Sequence, residues 1–363
     1  MRIAFIGQKG FPASWGGVEV HVDNLARRLR ARGHDVTIYN RRWYSENRPS
    51  EAGVRRITLP TLRGKHLDAT FHSLLSSAHA AAVRHYDVIH YHAIGPALFS
   101  LLPRLSVRGI VTTVHGQDYQ RDKWGPLART ALRLGEQAAL RISDRTIVVS
   151  KSLRDAYRAQ GYQVEYIPNG VSAPQAVEAA DILELGLEPG GFVLSMSRWV
   201  PEKRVRELVA ARAARPSSDL PLVVAGQADD PDYQRAVRSA AGGCRDIVFP
   251  GMVGGRLKDE LLGHCRAFIT ASAVEGLPIA LLEAMAAGKP VIASEIEPHR
   301  ELLGELGDEL LFPVDQPDRG LAMLASASFD GVGDGLAEVA AHYSWDECVD
   351  RVEEVYAELL GEA

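Results

Sequence analysis

Two carboxylates, Glu275 and Glu283, stand with seven residues between them in the stretch EGLPIALLEAMAAGKPVIAS. Carboxylates accept hydrogen bonds from hydroxyls, so this pair could hold a sugar and a ribose. Earlier in the chain, SRWVPEKR carries Arg198 and Lys203. Arg offers a planar fork and Lys a point charge, and both suit phosphate oxygens. The run GIVTTVHGQD places His115 at the end of an apolar segment, with Asp118 three residues on. Each residue also has an ordinary reading. Glu283 could cap a solvated helix face, Arg198 and Lys203 could be loop surface charges, and His115 could be a core histidine satisfied by a carbonyl.

What would place these residues is an alternation of short apolar runs and amphipathic helices. Ala267–Ala271 reads as a buried parallel strand, and Lys289–Ala293 as the next one. Between them, Pro278 falls where a first-turn helical proline belongs and Gly288 where a terminating glycine belongs. Glu275 then lies on the loop at a strand's carboxyl end, and Glu283 about two turns down the helix. Open α/β sheets bind ligands at that edge, where helix N–H groups favour phosphate.

The chain begins with the same unit. Arg2–Gly7 is a strand, and a loop with Gly10, Gly16 and Gly17 leads to a helix over Val18–Arg32. Val18, Val22, Leu25, Ala26 and Leu29 form its apolar stripe, Gly33 closes it, and Asp35–Tyr39 is the second strand. No G-x-G-x-x-G is present, so Gly16 and Gly17 either serve a tight turn or admit a phosphate. Strands are also expected at Val54–Leu59, Asp87–Tyr91, Gly109–Val114, Arg145–Val149 and Val164–Ile167. A second series is expected at Phe192–Met196, Leu222–Ala225, Asp246–Phe249, Ala267–Ala271, Val291–Ala293 and Glu309–Phe312. The Ala-, Pro- and Gly-rich stretch from Ser172 to Gly191 reads as a linker. The expected fold is α/β, with two Rossmann-like parallel-sheet domains facing across a cleft.

The motifs GGVE, VHGQD, IPNGV, SRWVPEKR and EGLPIALLEAMAAGKPVIAS, in this order, resemble the family 4 retaining glycosyltransferases. That resemblance runs along nearly the whole chain and implies the GT-B fold. The start, IGQKGFPASWGGVEVHVDNLARRL, is further similar to a bacterial subgroup that includes rhamnosyltransferases of surface-polysaccharide assembly. It implies an acceptor domain over residues 1–171, joined by a returning helix at about 345–363, and a donor domain over 172–344. Ser344 would cap that helix. By resemblance, Arg198 and Lys203 hold the donor diphosphate, and Glu275 and Glu283 hold donor hydroxyls. His115 reaches the donor sugar, and Asp118 and Trp124 lie near the acceptor. The remaining donor contacts are Gly16, Gly17, Gly276, Leu277, Pro278 and Ile279, with Gly226, Met252 and Val253 near the base. Packing explains Met252 and Val253 equally well. Pro278 lacks an N–H, which limits what its loop can donate.

The implied reaction is transfer of a sugar from a nucleotide-diphosphate donor to a glycan, lipid-linked or small-molecule hydroxyl, by a front-face route. We read no Asp-x-Asp as a metal motif and expect neither metal nor cofactor. Alternatives are another enzyme of this fold, such as a sugar-nucleotide epimerase or a phosphorylase, and a sugar-binding protein without catalysis.

Composition sets limits. With 363 residues, two domains fit. No run of about 18 apolar residues occurs, and the start has no signal-peptide layout, so a cytoplasmic protein is expected. Cys244, Cys265 and Cys348 have no metal or redox spacing and read as buried structural thiols. The net charge of −5 conceals a division. Residues 1–170 carry 25 Lys and Arg against 13 Asp and Glu, a balance of +12, and the remainder carries −17. Arg41, Arg42, Trp43, Arg55, Arg56, Arg63, Lys65, His66, Arg121, Lys123 and Trp124 lead us to expect a basic-aromatic face on the first domain. Such a face could dock on an anionic inner membrane leaflet. It could equally attract the acidic half or a soluble acceptor. No nucleic-acid recognition motif accompanies the charge.

Overall fold

The computed structural model describes every residue except 14–15, 46–52, 63–66, 84, 121–123, 173–174, 216–219, 327–331 and 363. Packing divides the chain into two compact units. One is Met1–Gly170 with Trp345–Ala363, and the other is Val171–Ser344.

Among the described residues, the first unit is built on seven strands. These are β1 (Arg2–Ile6), β2 (Asp35–Arg41), β3 (Arg55–Leu59), β4 (Val88–His92), β5 (Gly109–Val114), β6 (Arg145–Val148) and β7 (Glu165–Tyr166). They pair in parallel, in the order β3-β2-β1-β4-β5-β6-β7. β1, β4 and β5 are covered on both faces; β1 reads as an apolar run after Arg2, whereas β4 carries His90 and His92 and β5 carries Thr112 and Thr113. From β1 the chain steps outward to β2 and β3, then returns to β4 on the opposite side of β1. That reversal opens a crevice at the carboxyl ends of β1 and β4.

The second unit repeats the logic with β8 (Val193–Met196), β9 (Leu222–Ala225), β10 (Ile247–Gly251), β11 (Ala267–Thr270), β12 (Val291–Ser294) and β13 (Leu311–Phe312). Their order is β10-β9-β8-β11-β12-β13, again parallel, with the reversal between β8 and β11. Arg198 and Lys203 follow β8, and Glu275 follows β11, so the reversal point lies between them.

Helix Gly17–Ala31 buries Val22, Leu25, Ala26 and Leu29 completely. Helix Trp345–Leu360 adds Trp345, Cys348, Val349, Val352 and Tyr356 to the same core, with Ile3, Phe5, Val36 and Ile38 of the sheet. Each fully buried aliphatic side chain of this kind contributes about 1.5–3 kcal/mol relative to exposure. Ser344, just before that helix, pairs with Val171 in an isolated bridge.

Several expectations are corrected. β10 runs on to Gly251, past Phe249, with a shift of register after Val248. Strand β13 keeps only Leu311 and Phe312, because Asp308–Leu310 turns as a 3-10 helix. Helix Ile279–Ala286 starts after Pro278, which caps it, so Glu283 sits little more than one turn in. Cys265 and Cys348 are buried, but Cys244 is half-exposed. Arg41 is not a surface charge: it is buried at the end of β2 and pairs with Asp68 at 2.7 Å. Arg63, Lys65, His66, Arg121 and Lys123 lie outside the described residues.

Candidate active site

In the second unit, the chain leaves β8 through Arg198 and closes a 3-10 turn, Pro201–Lys203, before helix Val205–Ala213. The loop after β11 is tied to this turn, since the Ala273 N–H donates to the Glu202 carbonyl at 2.8 Å. That tie sets Lys203 against Glu275, and the two form an ion pair with little exposure on either side. Burial opposes ionisation of Glu275. Lys203 outweighs it, helped by His299 and a hydrogen bond from Ser272, so the carboxyl stays below its usual range. Arg198 is half-buried on the same loop.

His299 was not anticipated. It is fully buried, and its Nδ1 lies 2.6 Å from the Ser294 carbonyl oxygen. A carbonyl only accepts, so Nδ1 carries the proton and Nε2 keeps its lone pair. Burial lowers its pKa to about 4, against a smaller opposing pull from Glu275. Ser294 Oγ in turn donates to the Ser272 carbonyl at 2.5 Å, linking the ends of β11 and β12. Glu283 is paired as well, accepting from Lys258 Nζ at 2.8 Å. That contact replaces the reading of Glu283 as a cap on a solvated helix face.

Close approach of backbone shapes the rest of this edge. Gly226, after β9, has φ 123, and a Cβ there would lie 1.9 Å from the Ser197 carbonyl oxygen. Only glycine lets the Arg198 loop pack so near β9. Trp199 N–H donates to Gln227, and Gly226 N–H to Gly251, binding the ends of β8, β9 and β10 together. Met252 and Val253 follow, half-buried, and Gly276 through Ile279 line the turn into the Glu283 helix. Asp230-Pro-Asp232 is an Asp-x-Asp by pattern, but both carboxylates are engaged locally. Asp230 caps helix Pro231–Ala240 by accepting from the Asp232 N–H at 3.0 Å, and Asp232 pairs with Arg235.

In the first unit, the loop after β1 reaches helix Gly17–Ala31 through Gly16 at φ 102, where a Cβ would collide with the Glu19 carboxylate. Gly17 opens the helix. His115 follows β5, half-buried, with Asp118 on the 3-10 turn Asp118–Gln120 and Trp124 half-buried beyond it. A carboxylate braces this loop: Glu136 Oε1 accepts from Tyr157 at 2.6 Å, Tyr119 at 3.2 Å and Gln117 at 3.4 Å. His115 is not alone. His92, at the end of β4, lies 3.3 Å from it between ring nitrogens, and His21 from the helix meets both rings edge-on. Burial, then the neighbouring imidazoles, holds His92 and His115 well below the usual histidine range. Burial alone brings His21 to about 4.

Known proteins bear directly on this pair of sheets. The profile described as Glycosyltransferase Family 4 matches residues 15–173, and Glycosyl transferases group 1 matches residues 184–327. The chain belongs to family 4 of the glycosyltransferases. This glycosyltransferase is 29% identical to the phosphatidyl-myo-inositol mannosyltransferase of Mycobacterium tuberculosis, over 99% of this chain and 98% of the relative. It is also 29% identical to that organism's GDP-mannose-dependent alpha-(1-6)-phosphatidylinositol monomannoside mannosyltransferase, over 78% of each. Among solved structures, the sucrose-phosphate synthase of Thermosynechococcus elongatus superposes with a TM-score of 0.83 at 22% identity, covering both chains fully. The glycosyltransferase has the GT-B fold.

Proposed function

We propose that this enzyme transfers a sugar from a nucleotide-diphosphate donor to an acceptor hydroxyl, with retention at the anomeric carbon. The observation that carries the reading is the Lys203–Glu275 pair, with Arg198 on the same loop, at the strand reversal of the second sheet. A diphosphate arriving there meets two cations, and Glu275 stays ionised to accept sugar hydroxyls. In the front-face route the anomeric C–O bond to phosphate breaks and its electron pair stays on the diphosphate. That oxygen takes the acceptor proton, and the acceptor oxygen bonds to the same face. Arg198 and Lys203 stabilise the leaving charge, and His115 positions the sugar. Because side chains supply this positive charge, the reaction proceeds without a metal.

The names of the mannosyltransferase relatives support a nucleotide-diphosphate sugar donor and a lipid-borne acceptor. A membrane-facing surface fits the latter. Leu127 and Leu134, seven residues apart on helix Pro126–Arg141, are 89% and 57% exposed, and Arg129 and Arg133 beside them are exposed too. A basic helix with apolar residues outward suits the inner leaflet's interface. No described helix is long and apolar enough to cross a membrane. Sedimentation with anionic vesicles tests this docking, which should fade with salt and weaken in Leu127→Glu/Arg129→Glu.

The test of function is direct. A panel of nucleoside diphosphates in thermal melts should single out one base, at about 2.7 kcal/mol for a ligand at 100 times its Kd. Transfer with that donor should persist in EDTA and give a product with the donor's anomeric configuration by NMR. An inverted product overturns the front-face reading, and activity restored only by Mg²⁺ or Mn²⁺ overturns metal independence.

A further inference from the structure

The first sheet's carboxyl edge gathers more imidazole than contact with a sugar requires. His90 and His92 alternate along β4, with rings stacked at 4.3 Å between centroids. His90 is satisfied on both nitrogens, by Tyr356 at 2.6 Å and Thr113 at 2.7 Å, and so fixes one wall against His92. His21, His92 and His115 are different. One nitrogen from each lies within 4.8 Å of the others. Among the described residues, His92 Nε2 and both His21 nitrogens have no hydrogen bond of ordinary geometry, although all three atoms are buried. Asn169 Oδ1, buried and equally without a partner, stands beside His21 and favours a proton on its ring.

We propose that His21, His92 and His115 bind a borderline-soft divalent cation of the zinc class, and that the bound ion withholds His115 from the donor sugar and inhibits transfer. The binding stands on the cluster alone; the inhibition rests on the reading of His115 given above.

The chemistry of the donors supports this. Imidazole nitrogen selects Zn²⁺, Ni²⁺ or Cu²⁺ over Mg²⁺, which prefers oxygen. In a tetrahedral site with bonds of 2.0–2.1 Å, nitrogens stand about 3.4 Å apart. His92 Nδ1 and His115 Nε2 already stand at 3.3 Å, and the three donor nitrogens lie within 4.8 Å of one another. Only neutral imidazole ligates, and burial keeps all three rings neutral. Metal-bound histidines donate their second N–H to an acceptor, and Asn169 Oδ1 is placed to receive it from His21. His115, half-buried on the rim, leaves the fourth position to water.

The experiment uses the full chain, dialysed against buffered Zn²⁺, with bound metal measured by plasma mass spectrometry. Wild type and the control His34→Gln, outside the cluster, should each bind one zinc. His92→Gln and His115→Gln should weaken binding at least about tenfold. Co²⁺ in place of Zn²⁺ should give the visible absorption of a four-coordinate nitrogen site, lost in both variants. Zinc binding that is absent in wild type, or equal in wild type and both variants, overturns the site. Should His92→Gln fail to fold by circular dichroism, His115→Gln decides, since its ring lies on the rim. Saturating zinc should also slow transfer by about two- to tenfold, as loss of the His115 contact would, with the rate restored by chelator. If zinc binds as described and transfer is unaffected, the inhibitory role falls, and with it the contact of His115 with the sugar.

Discussion

At the carboxyl edge of the first sheet lie four imidazoles, His21, His90, His92 and His115, and at the same edge of the second lie Arg198, Lys203, Glu275, Lys258 and Glu283. The topology is shared; the chemistry is not. Neutral rings tolerate burial with few partners, so the first edge can pack tightly and still offer hydrogen bonds. Fixed charges do not, since an ion taken from water must be matched by another. The second edge therefore holds its carboxylates already paired with lysines. Neither edge follows the bulk charge around it, since the chain's first 170 residues carry +12 and the rest −17. Local pairing, not net charge, sets what each edge can bind.

The largest test of this contrast removes charge from the second edge. Arg198→Ala and Glu275→Gln should each lower turnover by about 10²–10³ while the fold persists, and Arg198→Ala should also weaken nucleoside-diphosphate binding. His115→Asn on the first edge removes only a neutral hydrogen bond, and should cost about two- to tenfold. Steady-state kinetics on the three variants rank them. Near-wild-type rates for both charge variants would remove the second edge from the mechanism.

A smaller effect separates the edges by pH. His21 and His72 in the first unit and His299 in the second have folded pKa values of about 4, and His90, His92 and His115 are also lowered. The unfolded chain, with histidines near 6.5, binds more protons below that pH. Stability is therefore full above about 6.5 and falls as pH drops towards 4, by up to about 1.4 kcal/mol per pH unit for each such histidine. Five of these groups are in the first unit. Hydrogen exchange at about pH 7.5 and 5.5 should show the first unit losing protection faster, while Glu275 remains ionised. Equal losses in both units would contradict this.

The smallest effect concerns Lys258. Its side chain is 30% exposed, so Lys258→Ala should change donor KM by less than about fivefold. A much larger change would make Lys258 itself a donor contact, and the second edge still more charged than drawn here.

How far the sequence could be read follows from the range of the interactions. Central parallel strands such as β1, β8 and β9 are buried and largely apolar, so local pattern marks them, whereas the edge strands β3 and β7 are partly exposed and carry a weaker pattern. Strand and helix ends moved where backbone geometry decides: Pro278 became a cap, and β10 continued through Pro250. The motif residues were visible as types, but not their partners. Lys203 meets Glu275 across 72 positions, and His92 meets His115 across 23. His21 and His299 carry no local signal at all. His90-x-His92 on a buried strand was such a signal, because two polar rings on one face need a reason. Arg41 failed for the converse reason, since nothing near it in sequence announces Asp68.

Helix Trp345–Leu360 completes a core whose other members lie within the first 170 residues. During synthesis, the first sheet must wait for a helix that is made only after the second unit. Until then Ile3, Phe5, Val36 and Ile38 have helix Gly17–Ala31 beside them but lack the part of their core that Trp345–Leu360 supplies. The second unit, from Val171 to Ser344, is contiguous and closes on itself meanwhile. The core of the first unit can therefore close only after the whole of the second unit has been made.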